Sequence, residues 1–420
     1  MKILWVVNHY MFDLANELGK NTPTSGSWLV ETSKILSTFQ NNELHIACPS
    51  DSHSNFGKFI NGIHYYTLKM SKIDKFIAPS RELTDSCLKL IEEIKPDIIH
   101  LQGCEFAFGL AFLKQRDVPV VISIQGLISE IVRNEYVWCG IKEKNSLKAF
   151  LPNNMIIYLP QTLKNIRDIF RGKAEIKQLQ LCDYRIGRTN WDEAHSFFHN
   201  PEGKYYYMQE TMRKSFFQTE WEIKAINRHS IFCAGGYSSA LKGAHMVLEA
   251  AALLKNEFPN IQVRIIGKDV RTTKDNFGYN RYLTKLIKKL NLDQNIQFIG
   301  RLDEKRMAEE FAAANVYVMG SSIENSSNTL GEAMCIGIPI VASFVGGVPS
   351  LATDEKEALF YRFGDVELMA WQIRRIFTND ELACSLSENA RKRAKKQYCE
   401  DDISNGLASI YEDIISSFNK

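Results

Sequence analysis

Short apolar runs alternate with amphipathic stretches along the whole chain, and this alternation restricts the fold more than any single residue does. Ile3–Val7, Leu44–Ala47, Ile98–Leu101, Val118–Ile124 and Tyr184–Arg188 read as strands. Trp28 to about Thr38 and Leu83–Ile94 carry helical periodicity between them. Apolar runs without polar alternation are expected of strands covered on both faces. Their alternation with helices implies βαβ units and a parallel sheet. The pattern thins between about Gly140 and Lys177, and a second cycle begins at Ser230–Ala234. Helix Ala244–Lys255, strand Gln262–Ile266, helix Tyr282–Leu290, strand Ile296–Ile299, helix Met307–Ala314 and strand Val316–Met319 follow. The chain ends in Leu368–Phe377 and a helical tail with the basic segment Arg391–Lys396. At 420 residues it exceeds one core and suits two. Each half reads as a doubly wound α/β domain, joined near residues 217–228. Ligands of such sheets bind outside the carboxyl ends of the strands, so the expected site is a cleft between two domains.

Bulk properties exclude several classes. A net charge of +2 gives no global field for nucleic acid. The nine cysteines are odd in number and contain no C-x-x-C, which argues against a disulfide framework and a zinc site and fits reduced thiols in a cytoplasmic setting. Five apolar residues after Met1-Lys2 read as a buried first strand rather than a signal peptide. No apolar run approaches the roughly 18 residues of a membrane span.

The chemistry concentrates in Ser321–Ser343, SSIENSSNTLGEAMCIGIPIVAS. A strand ends near Met319, so the polar loop Ser321–Asn328 lies at its carboxyl end. Thr329-Leu330-Gly331-Glu332 fits a capping box, and Gly337 with Pro339 supplies a stop. The helix is then about two turns long, with its N–H groups aimed at the loop, which suits an anion such as phosphate. Glu332 as a mere cap and Glu324 as a solvated acid is the bland alternative. That alternative does not account for an anion-seeking helix end, small residues and an upstream acid arriving together.

Glu324, seven intervening residues, Glu332-Ala333-Met334 and Gly337-Ile338-Pro339-Ile340-Val341-Ala342 resemble the E-x7-E signature of retaining GT-B glycosyltransferases of family four. The resemblance is greatest to members that assemble bacterial surface polysaccharides, capsule or O-antigen. It implies two Rossmann-like domains facing a central cleft. Residues 1–222 would bind the acceptor, 223–397 the nucleotide-sugar, and 398–420 would form a helix returning to the N-terminal domain. It also implies that Glu324 contacts the donor sugar, that Glu332 binds the ribose hydroxyls, and that the amides of Asn328, Thr329 and Leu330 hold the diphosphate. Gly320 departs from the pattern, since a Pro is usual before Ser321.

Gly235-Gly236-Tyr237-Ser238-Ser239-Ala240-Leu241-Lys242-Gly243 follows a strand but lacks the order of a P-loop. It resembles the family's Gly-Arg…Lys-Gly loop, with Lys242 as one diphosphate cation and Tyr237 where the second cation usually stands. An ordinary glycine turn with a solvated Lys is the alternative. Gly267-Lys268 and Gly300-Arg301 stand where the family holds the nucleotide base. In the first half, Ser25-Gly26-Ser27 is either a turn with Ser27 as a cap or the loop that approaches the leaving phosphate. His100, in Pro96–Gly103, reads as a structural histidine, with Gln102 beyond it. Gln125 stands where the family often has a His, so a histidine base is excluded there while hydrogen bonding remains. Arg188-Thr189-Asn190-Trp191-Asp192 reads as a capped helix start or as a cleft-facing Arg188, with Glu210 and Arg213 as further candidates. Residues 141–178 hold eight Lys/Arg and three Asp/Glu among apolar residues. They form either a solvated insertion or a peripheral membrane contact for a lipid-linked acceptor.

No Asp-x-Asp is present to hold a metal, so leaving-group charge would fall to the helix end and Lys242. The expected activity is metal-independent and cofactor-free. A sugar passes, with retained configuration, from a nucleotide-diphospho-sugar to a hydroxyl of a glycan or polyprenyl-diphosphate-linked acceptor. A non-catalytic GT-B module binding nucleotide-sugar or a partner enzyme is the second reading. A nucleotide-sugar epimerase or a phosphorylase is the third. No G-x-G-x-x-G follows a strand, which disfavours a nicotinamide enzyme.

Overall fold

The computed structural model describes residues 1–20, 27–39, 42–51, 57–135, 158–235, 239–272 and 278–419. Ser25, Gly26, Gly236, Tyr237 and residues 141–157 of the basic stretch lie outside them. The chain divides into two compact units. The N-terminal unit combines Met1–Val132, Lys164–Thr211 and Tyr398–Lys420, and the C-terminal unit includes Met212–Gln397.

The N-terminal unit is built on an eight-stranded sheet. Its strands are β1 Lys2–Val6, β2 Glu43–Ser50, β3 Gly57–Ile60, β4 Ile63–Lys69, β5 Ile98–Leu101, β6 Val120–Ser123, β7 Tyr184–Gly187 and β8 Lys204–Tyr207. Their order is β3-β4-β2-β1-β5-β6-β7-β8, with β3 antiparallel to β4 and every other pairing parallel. The sequence reading misses β3 and β8, which are exposed edge strands, and β4 beside β3, whose polar and aromatic IHYYTLK is no unbroken apolar run. One face of the sheet packs Leu4, Ile99 and Ile122 against helix Arg81–Ile94. The other packs Ile3, Trp5 and Ile46 against helices Ser27–Thr38 and Glu400–Phe418, the latter through Leu407, Tyr411 and Ile414.

The C-terminal unit holds a six-stranded, wholly parallel sheet. Its strands are β9 Asn227–Cys233, β10 Gln262–Ile265, β11 Ile296–Phe298, β12 Ala314–Met319, β13 Ile340–Ser343 and β14 Leu359–Tyr361. The order β11-β10-β9-β12-β13-β14 reverses between β9 and β12. The carboxyl ends of those two strands are therefore the switch point at which a doubly wound sheet leaves a crevice.

Residues 212–222, read from sequence as the end of the first domain, pack with the second. Trp221 explains this: its backbone N–H donates to Ile336 (3.0 Å) and its indole N–H donates to the carbonyl of Ala314 (2.8 Å). The Arg391 guanidinium donates to the carbonyls of Phe217 (3.1 Å), Thr219 (3.1 Å) and Cys335 (2.6 Å). It ties this segment to the carboxyl end of helix Asn328–Ile336, where a cation also suits the helix dipole.

Candidate functional site

At the switch point of the C-terminal sheet the loops after β9 and β12 are pressed together. Gly243, at φ +68°, faces Gly320, and a Cβ on Gly243 would lie 1.8 Å from the Gly320 carbonyl oxygen. A Cβ on Gly320 would lie 2.7 Å from the Gly243 carbonyl oxygen. Gly320 thus has a structural reason: backbone meets backbone at the point where the resemblance expects Pro. Ser322 N–H donates to the carbonyl of Leu241 at 2.7 Å and locks the contact.

This approach brings Lys242 to Glu324. The Lys242 Nζ donates to Glu324 Oε1 at 2.5 Å, and Ser321 Oγ donates to the same oxygen at 2.7 Å. The backbone of Glu324 is fixed as well, because Gly347 N–H donates to its carbonyl at 3.0 Å. Gly346, at φ +48°, leaves room where a Cβ would sit 2.0 Å from that oxygen. The Gly346-Gly347 doublet after β13 is the sequence signal for this seat, and the sequence reading passes over it.

The helix beyond is Asn328–Ile336, ended by Gly337 at φ +85°. Its cap differs from the expected Thr329–Glu332 box. Ser327 is the N-cap and accepts from Leu330 N–H at 3.4 Å. Thr329 Oγ1 is engaged by Ser327 Oγ (3.0 Å) and by the hydroxyl of Tyr317 (2.9 Å). Of the three amides expected to bind phosphate, that of Leu330 is taken. Among the described residues, those of Asn328 and Thr329 have no hydrogen-bond partner within the chain.

Glu332 is the fifth helical residue, too deep to cap, and is 6% exposed. Its carboxylate is gripped by the Arg213 guanidinium. Burial pushes its pKa up, Arg213 opposes the rise and Glu304 adds to it. Gly267 and Gly300, expected near a nucleotide base, pair through two backbone hydrogen bonds of 2.9 and 3.0 Å. Lys268 and Arg301 beside them are exposed.

The N-terminal sheet has its own polar edge. Arg188 follows β7, is 4% exposed, and lies 2.5 Å from Glu210 Oε2. It also donates to Gln125, at 3.0 Å to the carbonyl and 3.3 Å to the side-chain oxygen. Of Thr189 and Asn190, the two candidate caps, Thr189 caps helix Asn190–His199, in a capping box with Asp192. Burial raises the Glu210 pKa against Arg188 and a hydrogen bond from Gln125. Gln102 is directed inward: its amide nitrogen lies 3.1 Å from His100 Nδ1, so it belongs to a buried network rather than to an open loop. His100 Nδ1 also meets the hydroxyl of Tyr411 (2.5 Å) and His100 Nε2 meets Ser123 Oγ (2.7 Å). Burial lowers the His100 pKa to about 3, so it stays neutral and structural. Ser27 opens helix Ser27–Thr38.

Asn8 and Glu105, which the sequence reading misses, meet at the ends of β1 and β5 through a 3.2 Å hydrogen bond. Gly103, at φ +122°, makes room for them. Burial raises the Glu105 pKa to about 7. Among the described residues no group of three or more His, Cys, Asp or Glu could hold a metal ion.

Residues 221–393 match the family model described as glycosyl transferases group 1, and residues 25–138 match that described as glycosyl transferase 4-like. The two matches fall on the two halves of the chain. It is 24% identical over 181 residues to a D-inositol 3-phosphate glycosyltransferase of Corynebacterium urealyticum, covering 43% of this chain and 42% of that protein. It is 24% identical over 324 residues to the sulfoquinovosyl transferase SQD2 of Arabidopsis thaliana, 76% of this chain and 57% of that protein. It is 28% identical over 169 residues to the lipopolysaccharide core biosynthesis glycosyltransferase LpsE of Rhizobium meliloti, 40% of this chain and 46% of that protein. These alignments span about half the length of the curated relatives. Among solved structures, sucrose-phosphate synthase of Thermosynechococcus elongatus superposes with a TM-score of 0.70 at 16% identity, covering 99% of this chain and 100% of that one. HepE of Anabaena in complex with UDP-glucose superposes at 0.65 and 13% identity, covering 98% and 100%. The likeness shows the fold: two parallel-sheet α/β domains of the GT-B class.

Proposed function

We propose that this chain is a retaining, metal-independent glycosyltransferase that moves a sugar from a nucleotide-diphospho-sugar to a hydroxyl of a glycan or polyprenyl-diphosphate-linked acceptor. The observation that carries the reading is the meeting of Lys242 and Glu324 beside the amino end of helix Asn328–Ile336, at the switch point of a parallel sheet. A cation, two unengaged backbone amides and a helix dipole can together take the charge that develops on a departing diphosphate. Glu324, seated by Ser321 and Gly347, would accept hydroxyls of the donor sugar, and Glu332 those of the ribose. In this reading Gly236 and Tyr237 line the diphosphate, and Gly267, Lys268, Gly300 and Arg301 face the base. Gln125 and Arg188, joined to Glu210 on the N-terminal unit, would meet the acceptor.

Family models over both halves, and relatives named as glycosyltransferases, support sugar transfer. A solved relative in the same fold holds UDP-glucose, which supports a nucleotide-sugar donor. LpsE, named for lipopolysaccharide core biosynthesis, supports a role in bacterial surface polysaccharide. No described helix is long and apolar enough to cross a membrane. Ile166, Ile169 and Phe170, exposed on helix Tyr158–Leu181 with Arg167 and Lys173, support peripheral contact.

The test is a thermal-shift screen of nucleotide-diphospho-sugars followed by turnover. One of them should stabilise the protein. Glu324→Ala should keep the fold and lose at least about a thousandfold in turnover. Wild-type turnover by that variant would refute the assignment. Binding without turnover in the wild-type chain would favour the non-catalytic module.

A further inference from the structure

Glu332 combines three features that demand explanation together: it is 6% exposed, it lies one turn past the helix cap, and it is a carboxylate. An ionised acid so placed is costly unless paired. Its partner comes from outside its own element. Arg213 sits at the N-cap of helix Lys214–Gln218, with its guanidinium 4.6 Å from the centre of the Phe216 ring and its Nη2 on Glu332 Oε1.

The segment that carries Arg213 is held along its length. Ser215 Oγ engages the Glu304 carboxylate, the second acid facing this place. Arg391 binds the carbonyls of Phe217 and Thr219, and Trp221 is bonded through both of its N–H groups. The titratable and charged groups around Glu332 are Arg213 on this segment, Glu304 on helix Glu304–Ala313, Tyr317 on β12 and Cys335 on its own helix, with Arg391 facing Cys335. Arg213 is the cation that offsets the burial of Glu332. A carboxylate has about four acceptor positions, and one guanidinium nitrogen occupies one.

We propose that Arg213 is a positioning residue for ribose recognition: it holds Glu332 ionised and oriented, so that the acid's remaining acceptor positions take the 2′- and 3′-hydroxyls of a nucleoside diphosphate. The inference rests on the donor reading given above and adds to it a residue from outside the helix and its flanking loops.

Calorimetric titration with UDP, GDP and ADP, and with their 2′-deoxy forms, from pH 6 to pH 9, tests it on the full chain. The wild-type protein prefers a ribonucleotide over its deoxy form by about tenfold or more across that range. Arg213→Met loses about tenfold to a hundredfold in ribonucleotide affinity at pH 6–7. It loses the ribose preference too, and both losses are larger at the acid end of the range than at the alkaline end, because burial raises the Glu332 pKa and Arg213 opposes that rise. Arg213→Lys restores part of the neutral-pH preference, since an ammonium supplies charge without the planar fork. Glu332→Gln loses the preference at every pH, which keeps the proposal testable should Arg213→Met fold poorly. An Arg213→Met protein that keeps its ribose preference, or that weakens equally toward both nucleotides at all pH values, overturns the proposal. Wild-type binding to none of the three nucleotides would instead sink the donor reading itself, and this inference with it.

Discussion

At the scale of single residues, the site in the C-terminal unit depends on groups that are absent as much as on groups that are present. Lys242 reaches Glu324 because Gly243 and Gly320 let two backbones touch, and Glu324 is seated because Gly346 lacks a Cβ. Gly243→Ala places a methyl 1.8 Å from a carbonyl oxygen at a φ of +68°, which L-residues avoid. Either the loop after β9 lifts or β12 shifts. Chemical denaturation should report a loss of about 2–4 kcal/mol, together with loss of nucleotide-diphosphate affinity as Lys242 moves. A stable Gly243→Ala protein with wild-type affinity would show that the close approach is incidental. Lys242 and the Glu324–Glu332 spacing are legible from sequence because they are specific residue types at fixed separations. The Ser327 cap is less so, since three polar residues, Ser326, Ser327 and Asn328, compete for one position and packing makes the choice. The Arg213–Glu332 pair spans 119 residues and no local pattern announces it.

At the scale of elements, buried polar side chains join helices and loops that the sequence presents as separate. Glu175, on helix Tyr158–Leu181, is fully buried at the start of helix Ile128–Glu135. It accepts from Ile128 N–H (2.6 Å), Ser129 N–H (3.1 Å) and Ser129 Oγ (2.7 Å). On the same helix, Gln178 donates to the carbonyls of Cys104 (2.9 Å) and Phe106 (3.0 Å), and Arg171 donates to that of Glu105 (2.9 Å). Burial raises the pKa of Glu175 to about 8 and that of Glu105 to about 7. Both folded-state values exceed the ordinary glutamate value, so between about pH 4.5 and 8 the native state binds more protons than the unfolded chain, and stability falls as pH rises. Urea midpoints of the N-terminal unit should drop between pH 5.5 and pH 8.5, corresponding to a stability loss of about 5 kcal/mol for the pair. Glu175→Gln should flatten the slope, and an unchanged slope would mean that Glu175 is ionised throughout. The sequence shows the strands of both sheet centres because buried parallel strands are unbroken apolar runs. It hides β3, β4 and β8, which carry no unbroken apolar run, although Asn61-Gly62 at positive φ is a local hairpin signal between β3 and β4 that the sequence reading passes over.

At the scale of the whole molecule, the last helix belongs to the first sheet. Glu400–Phe418 places Leu407, Tyr411 and Ile414 in the core formed by β1, β2 and β5. The hydroxyl of Tyr411 accepts from the indole N–H of Trp5 at 2.9 Å and donates to His100 Nδ1, separations of 406 and 311 residues. Removing residues 398–420 therefore injures the unit that lies farthest away in sequence. It uncovers one face of the N-terminal sheet and leaves Trp5 and His100 buried or wetted without their partner, at about 1–3 kcal/mol for each stranded group beyond the lost apolar burial. The C-terminal unit keeps its own sheet, with helix Asp380–Gln397 against helix Asn328–Ile336 and Arg391 still on Cys335. Unfolding of the full chain is then a two-unit process rather than a single transition. A chain ending at Gln397 should lose the cooperative unfolding reported by the near-ultraviolet signal of Trp5 and expose apolar surface. Helical signal from the C-terminal unit should persist, with nucleotide-diphosphate binding within a few fold of the full chain. Loss of both units together would mean that the two cores fold as one, and an unaltered Trp5 signal would mean that the helix only decorates the sheet it covers.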